Sequence, residues 1–167
     1  MIIVCPYSAV QSLVVRHKVG HVVSLLAPET QHPTIATIDQ QRHLRLSFHD
    51  IVEEMEGLVT PQPNDTERLI GFFEDWDKAD PMLIHCWAGI SRSTAACYTA
   101  MCMLKPQSDE EELAWHLRRL SPSASPNRLI VSHADALLGR DGRMIAAVDA
   151  IGRGCEASEG VPFSFMP

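Results

Sequence analysis

Short apolar runs of strand length alternate along the chain with segments whose apolar residues recur at helical spacing. The runs cover residues 1–5, 21–27, 43–48 and 82–85, and the third alternates polar and apolar residues as a half-buried strand does. Chains that alternate strands and helices commonly fold into layers around a parallel sheet. The sequence therefore predicts an α/β fold with a central, mainly parallel or mixed sheet of four to five strands flanked by helices.

A length of 167 residues suits one domain. We assign residues 1–153 to that domain. Residues 154–167 are rich in glycine and proline, and we expect this C-terminal segment to be loosely ordered. Residues that commonly cap helices predict where several helices begin: Ser8, Asn64 or Asp65, and Ser108 with Glu111 in an S-x-x-E capping box.

The charge balance limits the partners of this chain. It has 14 basic and 21 acidic side chains, which gives a net charge of −7. Such a surface repels polyanions, so we expect neither nucleic acid nor an anionic membrane as a partner. Any anion that the protein binds must be held by a local arrangement of donors. The N-terminus lacks the features of a signal peptide, which predicts a cytoplasmic protein.

The five cysteines are an odd number without a C-x-x-C pair. This pattern excludes a disulfide framework and a zinc ribbon. A lone cysteine is most often a small buried apolar residue, and we interpret Cys97 and Cys102 in this way. Cys86 is the exception because of the residues that follow it.

Residues 85–93 read HCWAGISRS and lie between a buried strand and a segment of small apolar residues typical of a buried helix. A loop in this position can direct successive backbone N–H groups at an anion, at the N-terminus of the helix. Arg92 adds a planar set of donors that can grip two oxygens of a phosphate. Cys86 opens the loop, where these positive groups favour its thiolate, and Ser93 can donate to its sulfur. We expect the phosphate to contact Trp87, Ala88, Gly89, Ile90, Ser91 and Arg92.

The segment HCWAGISRS resembles the H-C-x5-R-[ST] signature of the cysteine-dependent protein tyrosine phosphatases, including the glycine three residues after the cysteine. The short chain is more similar to the dual-specificity branch and to small bacterial phosphatase-like proteins than to the large tyrosine-specific enzymes. The resemblance implies a phosphatase fold, a phosphocysteine intermediate at Cys86 and no metal or cofactor. It also implies a phosphate or sulfate bound in the loop.

In the phosphatases that this segment resembles, an aspartic acid on a loop upstream of the signature protonates the leaving group. Asp50 follows a predicted strand, 36 residues before Cys86, and is our candidate. Its alternative role is to cap a helix with Glu53 in a D-x-x-E capping box. Asp65 is too close to the signature, and Asp39 precedes the strand.

Three further residues acquire roles through the resemblance. Asn127, which follows the segment SPSASP, either braces the phosphate loop or caps a helix. We expect His85 to orient the loop through hydrogen bonds rather than to transfer protons. Trp87 either lines the mouth of the pocket or packs inside.

The other histidines show no metal-binding spacing and are interpreted as surface or packed residues. Cys97 or Cys102 could resolve an oxidised Cys86 as a disulfide.

The sequence thus predicts a protein phosphatase that hydrolyses phosphotyrosine, and phosphoserine or phosphothreonine as well. Two alternatives remain open at this point. One is a phosphate-binding or phosphoprotein-binding module of the same fold without turnover. The other is a phosphoinositide or inositol phosphate phosphatase, although family members with that preference tend to carry lysines in the loop, and this loop has none.

Overall fold

The computed structural model describes all residues, 1–167, and has a mixed five-stranded sheet at its centre. The strands are β1 (Ile2–Pro6), β2 (His21–Leu26), β3 (His43–Ser47), β4 (Met82–Cys86) and β5 (Phe163–Phe165). They lie in the order β3-β2-β4-β1-β5, and only β5 is antiparallel to its neighbour. The predicted α/β class and four of its strands are confirmed.

Six helices cover the two faces of this sheet. They are α1 (Val10–His17), α2 (Pro63–Glu74), α3 (Arg92–Leu104), α4 (Glu110–Leu120), α5 (Arg128–Leu137) and α6 (Arg143–Ile151). α1 packs on one face around a small apolar cluster, and the other five helices share the main core on the opposite face. None of the helices is long and apolar enough to cross a bilayer.

All three predicted helix caps are wrong. Ser8 lies in a short 3-10 turn, and its hydroxyl donates to the Glu159 carboxylate at 3.1 Å instead of capping α1. α4 is capped by Asp109 rather than Ser108, because the Asp109 carboxylate accepts the N–H groups of Glu111 and Glu112. Asp109 carries a charge that suits the positive end of the helix, which a serine does not.

The start of α2 also differs from the prediction. The helix begins at Pro63, so neither Asn64 nor Asp65 is its cap. Proline suits the first helical position because its fixed φ fits a helix and its missing N–H is not needed there. Asp65 contributes differently, since its carboxylate accepts the N–H of Gln62, the residue that does cap the helix.

The C-terminal segment 154–167 is not loosely attached, in contrast to the expectation. Its residues form β5 against β1, and the Phe165 side chain is only 1% exposed. Upstream of β5, the Cys155 N–H donates to the Pro122 carbonyl at 2.9 Å. The two phenylalanines of β5 lie next to the main core, and this apolar burial offsets the flexibility that its glycines confer.

Phe165→Ala is expected to lower the free energy of unfolding by about 3–5 kcal/mol, because it removes a fully buried ring. Val161→Ala in the same segment is the control, since Val161 is 79% exposed and should change stability by less than about 0.5 kcal/mol. Urea denaturation measures both. Equal, small effects of the two substitutions would contradict the packing of β5.

Candidate active site

The predicted strand, loop and helix around Cys86 are all present. β4 lies between β2 and β1 and ends at Cys86, and α3 begins at Arg92. Residues 87–91 form the loop between them, at the carboxyl end of the parallel strands, where ligands commonly bind in open α/β sheets. The small side chains of α3 allow the helix to sit directly on the sheet, and its first eleven residues are buried.

The Cys86 thiol is 2% exposed and is surrounded by donors. Its sulfur lies 3.2 Å from the Ser93 hydroxyl oxygen. The Gly89 N–H also donates to the sulfur, at a nitrogen–sulfur distance of 3.2 Å. These two donors hold the sulfur at the start of the loop, next to the N-terminus of α3.

The carbonyl oxygens in the first half of the loop are held from outside it. His85 Nδ1 lies 3.4 Å from the Cys86 carbonyl. The Tyr7 N–H, just after β1, donates to the Trp87 carbonyl at 3.0 Å, and the Gly160 N–H donates to the Ala88 carbonyl at 2.8 Å. The end of β1 and the C-terminal segment thus both fix the loop.

The second half of the loop is held in the same way by the segment before α5. The Ser125 N–H donates to the Ile90 carbonyl at 2.9 Å, and the Asn127 N–H reaches the Ser91 carbonyl at 3.4 Å. The Thr94 hydroxyl, from the first turn of α3, also donates to both carbonyls.

Carbonyls that accept hydrogen bonds from outside the loop point away from its centre, and they thereby determine where the loop amides point. A trans peptide is planar, so the N–H that follows an outward carbonyl is directed into the loop. Among residues 87–91 only the Gly89 N–H has an acceptor within the protein, the sulfur of Cys86. Converging amides without partners, at the N-terminus of a helix, are a binding site for an anion.

Gly89 has a left-handed backbone, with φ at +73°. A Cβ at this position would lie 2.7 Å from the Pro6 nitrogen and 2.9 Å from the Cys5 carbonyl carbon. The loop therefore needs glycine here for two reasons, the positive φ and the close approach to the end of β1.

Arg92 is the cation at the end of the loop, and only 6% of it is exposed. One guanidinium nitrogen donates to the Phe48 carbonyl at 3.0 Å, which orients the side chain. Its Nε has no hydrogen-bond partner and lies 3.9 Å from Asp50 Oδ2. A buried guanidinium with so few partners favours a bound anion.

Asp50 lies beside the loop, as the sequence predicts for a catalytic acid. Its Oδ1 accepts the Ser91 hydroxyl at 2.7 Å and the Asn127 side-chain amide at 2.8 Å. Oδ2 makes no hydrogen bond and faces Arg92. No helix begins at Asp50, so the alternative capping box with Glu53 does not form.

Asn127 has one of the two roles that the sequence left open, because its side chain caps a helix and makes no hydrogen bond to the phosphate loop. Its Oδ1 accepts the N–H groups of Leu129 and Ile130 and so caps α5. Its Nδ2 donates to Asp50 and to the Ile51 carbonyl, at 2.8 and 3.2 Å. The side chain thus joins α5 to the loop of Asp50, and the backbone of Asn127 contacts the phosphate loop.

His85 and Trp87 both lie near the Tyr7 ring but differ in burial. His85 is fully buried, and burial lowers its pKa to about 4, against the opposing effect of its hydrogen bond to the Cys86 carbonyl. It is neutral near pH 7 and suited to orienting the loop. Trp87 is 57% exposed and stacks on Tyr7 with ring centroids 5.5 Å apart, so it lines the mouth of the site.

Several contributors to the site were missed in the sequence. Tyr7, Ser125 and Gly160 act on the loop through backbone N–H groups, which no side-chain pattern reveals. Cys97 and Cys102 are buried on α3, and burial raises the pKa of each thiol to about 12. Burial, and secondly the charge of Cys86, raises the pKa of the Cys5 thiol to about 12.

Gly89→Ala is expected to weaken the binding of inorganic phosphate at least about tenfold, because the new Cβ strains or displaces the loop. Calorimetric titration measures the affinity. Gly71→Ala in α2 is the matched control, since its Cβ would have no heavy atom within 4 Å. That control should bind phosphate normally and gain about 1 kcal/mol of stability. Unchanged affinity in Gly89→Ala would contradict the geometry of the loop.

No protein-family model and no curated protein sequence matches the chain. Solved structures do match it. DUSP15 superposes with a TM-score of 0.63 at 18% identity, over 89% of this chain and 90% of the other. The human tyrosine phosphatase-like serine/threonine/tyrosine-interacting protein has a TM-score of 0.61 at 18% identity, with 84% and 92% covered. PTPMT1 in complex with PI(5)P has a TM-score of 0.61 at 15% identity, with 84% and 94% covered. The chain therefore has the fold of the dual-specificity and other cysteine-dependent protein tyrosine phosphatases.

Proposed function

We propose that this protein is a phosphatase that hydrolyses phosphomonoesters on proteins through a phosphocysteine at Cys86. Phosphotyrosine is the proposed main substrate, with phosphoserine and phosphothreonine as further ones. One observation carries the proposal: the Cys86 sulfur lies in a loop whose amides, apart from that of Gly89, have no acceptor, and this loop ends at the buried Arg92, whose Nε has no hydrogen-bond partner. A phosphate bound by these amides and Arg92 would lie against the sulfur.

In the first step the Cys86 sulfur attacks phosphorus, and the bond between phosphorus and the leaving oxygen breaks. Arg92 and the loop amides stabilise the three equatorial oxygens, where negative charge is held in the transition state. Asp50 gives a proton to the leaving oxygen. Water then attacks the phosphocysteine and passes a proton to Asp50, while the Ser93 hydroxyl, 3.2 Å from the sulfur, stabilises the departing thiolate.

The hydrogen bonds of Asp50 suit this role. Its Oδ1 is held by Ser91 and Asn127, so the carboxyl group has a fixed orientation. Oδ2 has no hydrogen-bond partner and is the oxygen that would carry the proton. With 36% of its side chain exposed, Asp50 is accessible to a substrate at the mouth of the loop.

The surroundings of the loop favour an aryl phosphate on a protein over a phosphoinositide. Trp87 and Tyr7 form an aromatic surface at the mouth, against which a tyrosine ring can pack. The residues between Cys86 and Arg92 carry no charge, and the net charge of −7 disfavours polyanions. PTPMT1 has a similar fold and was solved with PI(5)P, but this chain offers no loop lysine for additional phosphates.

One observation favours a second candidate function, a phosphate-binding module without turnover. Both oxygens of Asp50 face groups of the protein, because Oδ1 accepts from Ser91 and Asn127 and Oδ2 lies 3.9 Å from Arg92 Nε. A protein with this site and no proton donor would bind a phosphorylated partner and release it unchanged. Turnover of a phosphate ester distinguishes the two functions.

Cys86→Ser is expected to lower the turnover of para-nitrophenyl phosphate by about 10³-fold or more, because it replaces the nucleophilic sulfur. Phosphate binding should persist, since the amides and Arg92 remain. Cys155→Ser, at an exposed cysteine, is the control and should retain full activity. Full activity of Cys86→Ser would contradict the mechanism. Absence of turnover in the unmodified protein, with phosphate still bound, would favour the binding module.

Asp50→Asn tests the acid through the leaving group. Asparagine can still accept from Ser91 but cannot supply a proton of comparable acidity. We expect turnover of phenyl phosphate to fall by about 10²-fold or more, with a much smaller decrease for para-nitrophenyl phosphate, whose leaving group needs little protonation. Asp39→Asn is the control and should leave both rates unchanged. Equal losses on both substrates would assign Asp50 a purely structural role.

A further inference from the structure

Three polar side chains are buried next to one another on the sheet face covered by α1. They are Ser24 of β2, His43 of β3 and His85 of β4, with exposures of 0%, 4% and 0%. Ser24 Oγ lies 2.6 Å from His85 Nε2 and 2.8 Å from His43 Nε2. Burying polar groups is costly unless each of them is hydrogen-bonded, and here they satisfy one another across three strands.

The Cys86 carbonyl, at the end of this series of hydrogen bonds, determines which groups donate and which accept. The Cys86 carbonyl can only accept, so His85 Nδ1 carries a hydrogen. In a neutral ring, Nε2 of His85 is then an acceptor, and the Ser24 hydroxyl donates to it. The Ser24 oxygen in turn accepts the Nε2–H of His43. The chain of donors therefore runs from His43 through Ser24 and His85 to the backbone of Cys86.

Both rings stay neutral, which keeps this direction fixed. Burial, followed by the charge of Arg45 and then by His85 and His32, lowers the pKa of His43 to about 3. Burial lowers that of His85 to about 4, and His32 and Arg92 act in the same direction. Protonating His85 would direct the Nε2–H groups of both histidines at the Ser24 oxygen.

We propose that Ser24 and His43 are positioning residues for the phosphate loop, acting through His85 on the peptide that joins Cys86 to Trp87. Because this peptide is planar, holding the Cys86 carbonyl fixes the direction of the Trp87 N–H, the first amide of the loop. The Trp87 N–H has no acceptor in the protein and is free to donate to an anion in the loop. Errors of position at such a donor lower transition-state stabilisation strongly.

This inference rests on the proposed function, and its test separates the two. Ser24→Ala removes the hydroxyl in the middle of this series of hydrogen bonds, and Ser24→Thr restores it. His43→Leu removes the first donor, and His43→Gln restores an N–H that can reach Ser24. Thr99→Val is the control for loss of a buried hydroxyl, because Thr99 is fully buried in α3 and donates only to the Ala95 carbonyl.

We expect Ser24→Ala and His43→Leu each to lower kcat for para-nitrophenyl phosphate about tenfold and to weaken inorganic phosphate binding severalfold, at temperatures where the variants remain folded. Ser24→Thr and His43→Gln should stay within about twofold of the unmodified protein. Thr99→Val should lose stability without changing kcat. Since phosphate affinity is measured by calorimetry without turnover, the positioning role is tested even if the protein proves not to be a phosphatase.

Two results would overturn the proposal. In the first, Ser24→Ala and His43→Leu match Thr99→Val in both kcat and phosphate affinity. In the second, the restoring substitutions lose as much as the disrupting ones. If Ser24→Ala does not fold, the pair His43→Leu and His43→Gln gives the same comparison at the His43 end of the hydrogen-bonded series.

Discussion

The site depends on one constraint, namely that the carbonyl oxygens around the loop are bound from outside it. Each bond fixes one planar peptide and thereby directs the next N–H inward. The bonds come from distant parts of the chain: Tyr7 after β1, Gly160 before β5, and the segment that contains Ser125 and Asn127. An anion site can form only once all of these segments have packed, so the fold and the site are a single cooperative unit.

The proposed phosphate site does not depend on the overall charge of the protein, which is −7. The positive potential comes from aligned amides, the N-terminus of α3 and one arginine, all within the loop. Arg92 is kept in place by the Phe48 carbonyl and faces Asp50, so its charge is partly offset until a ligand arrives. A single phosphate group is compatible with this site, whereas an extended polyanion meets the repulsion of the remaining surface.

Sequence patterns predicted what depends on side-chain identity. The four parallel strands, α3 and the residues Cys86, Gly89 and Arg92 follow from local periodicity and from one motif. Asp50 was predicted from its position after a strand, and the structure places it beside the loop. Helix caps were less predictable, because Asp109 and Gln62 compete with equally suitable neighbours and packing decides between them.

What the sequence could not reveal depends on long-range backbone contacts. Gly160 is an unremarkable glycine in a polar segment, yet a Cβ there would lie 2.7 Å from the Gly89 carbonyl oxygen. The sequence predicted a loosely ordered C-terminal segment because the short apolar run of β5 is its only pattern typical of a folded element. Ser24 and His43 lie in different strands, 19 residues apart, and only the sheet brings them together with His85.

The central claim, that the amides of the loop converge on an anion, is tested most directly by following backbone amide resonances during titration with inorganic phosphate. The account predicts that the N–H signals of residues 87–92 shift together and saturate at one common phosphate concentration. It also predicts that the amides of Tyr7 and Gly160, which already donate to loop carbonyls, shift far less. Phosphate binding that leaves residues 87–92 unchanged and shifts amides elsewhere would contradict it.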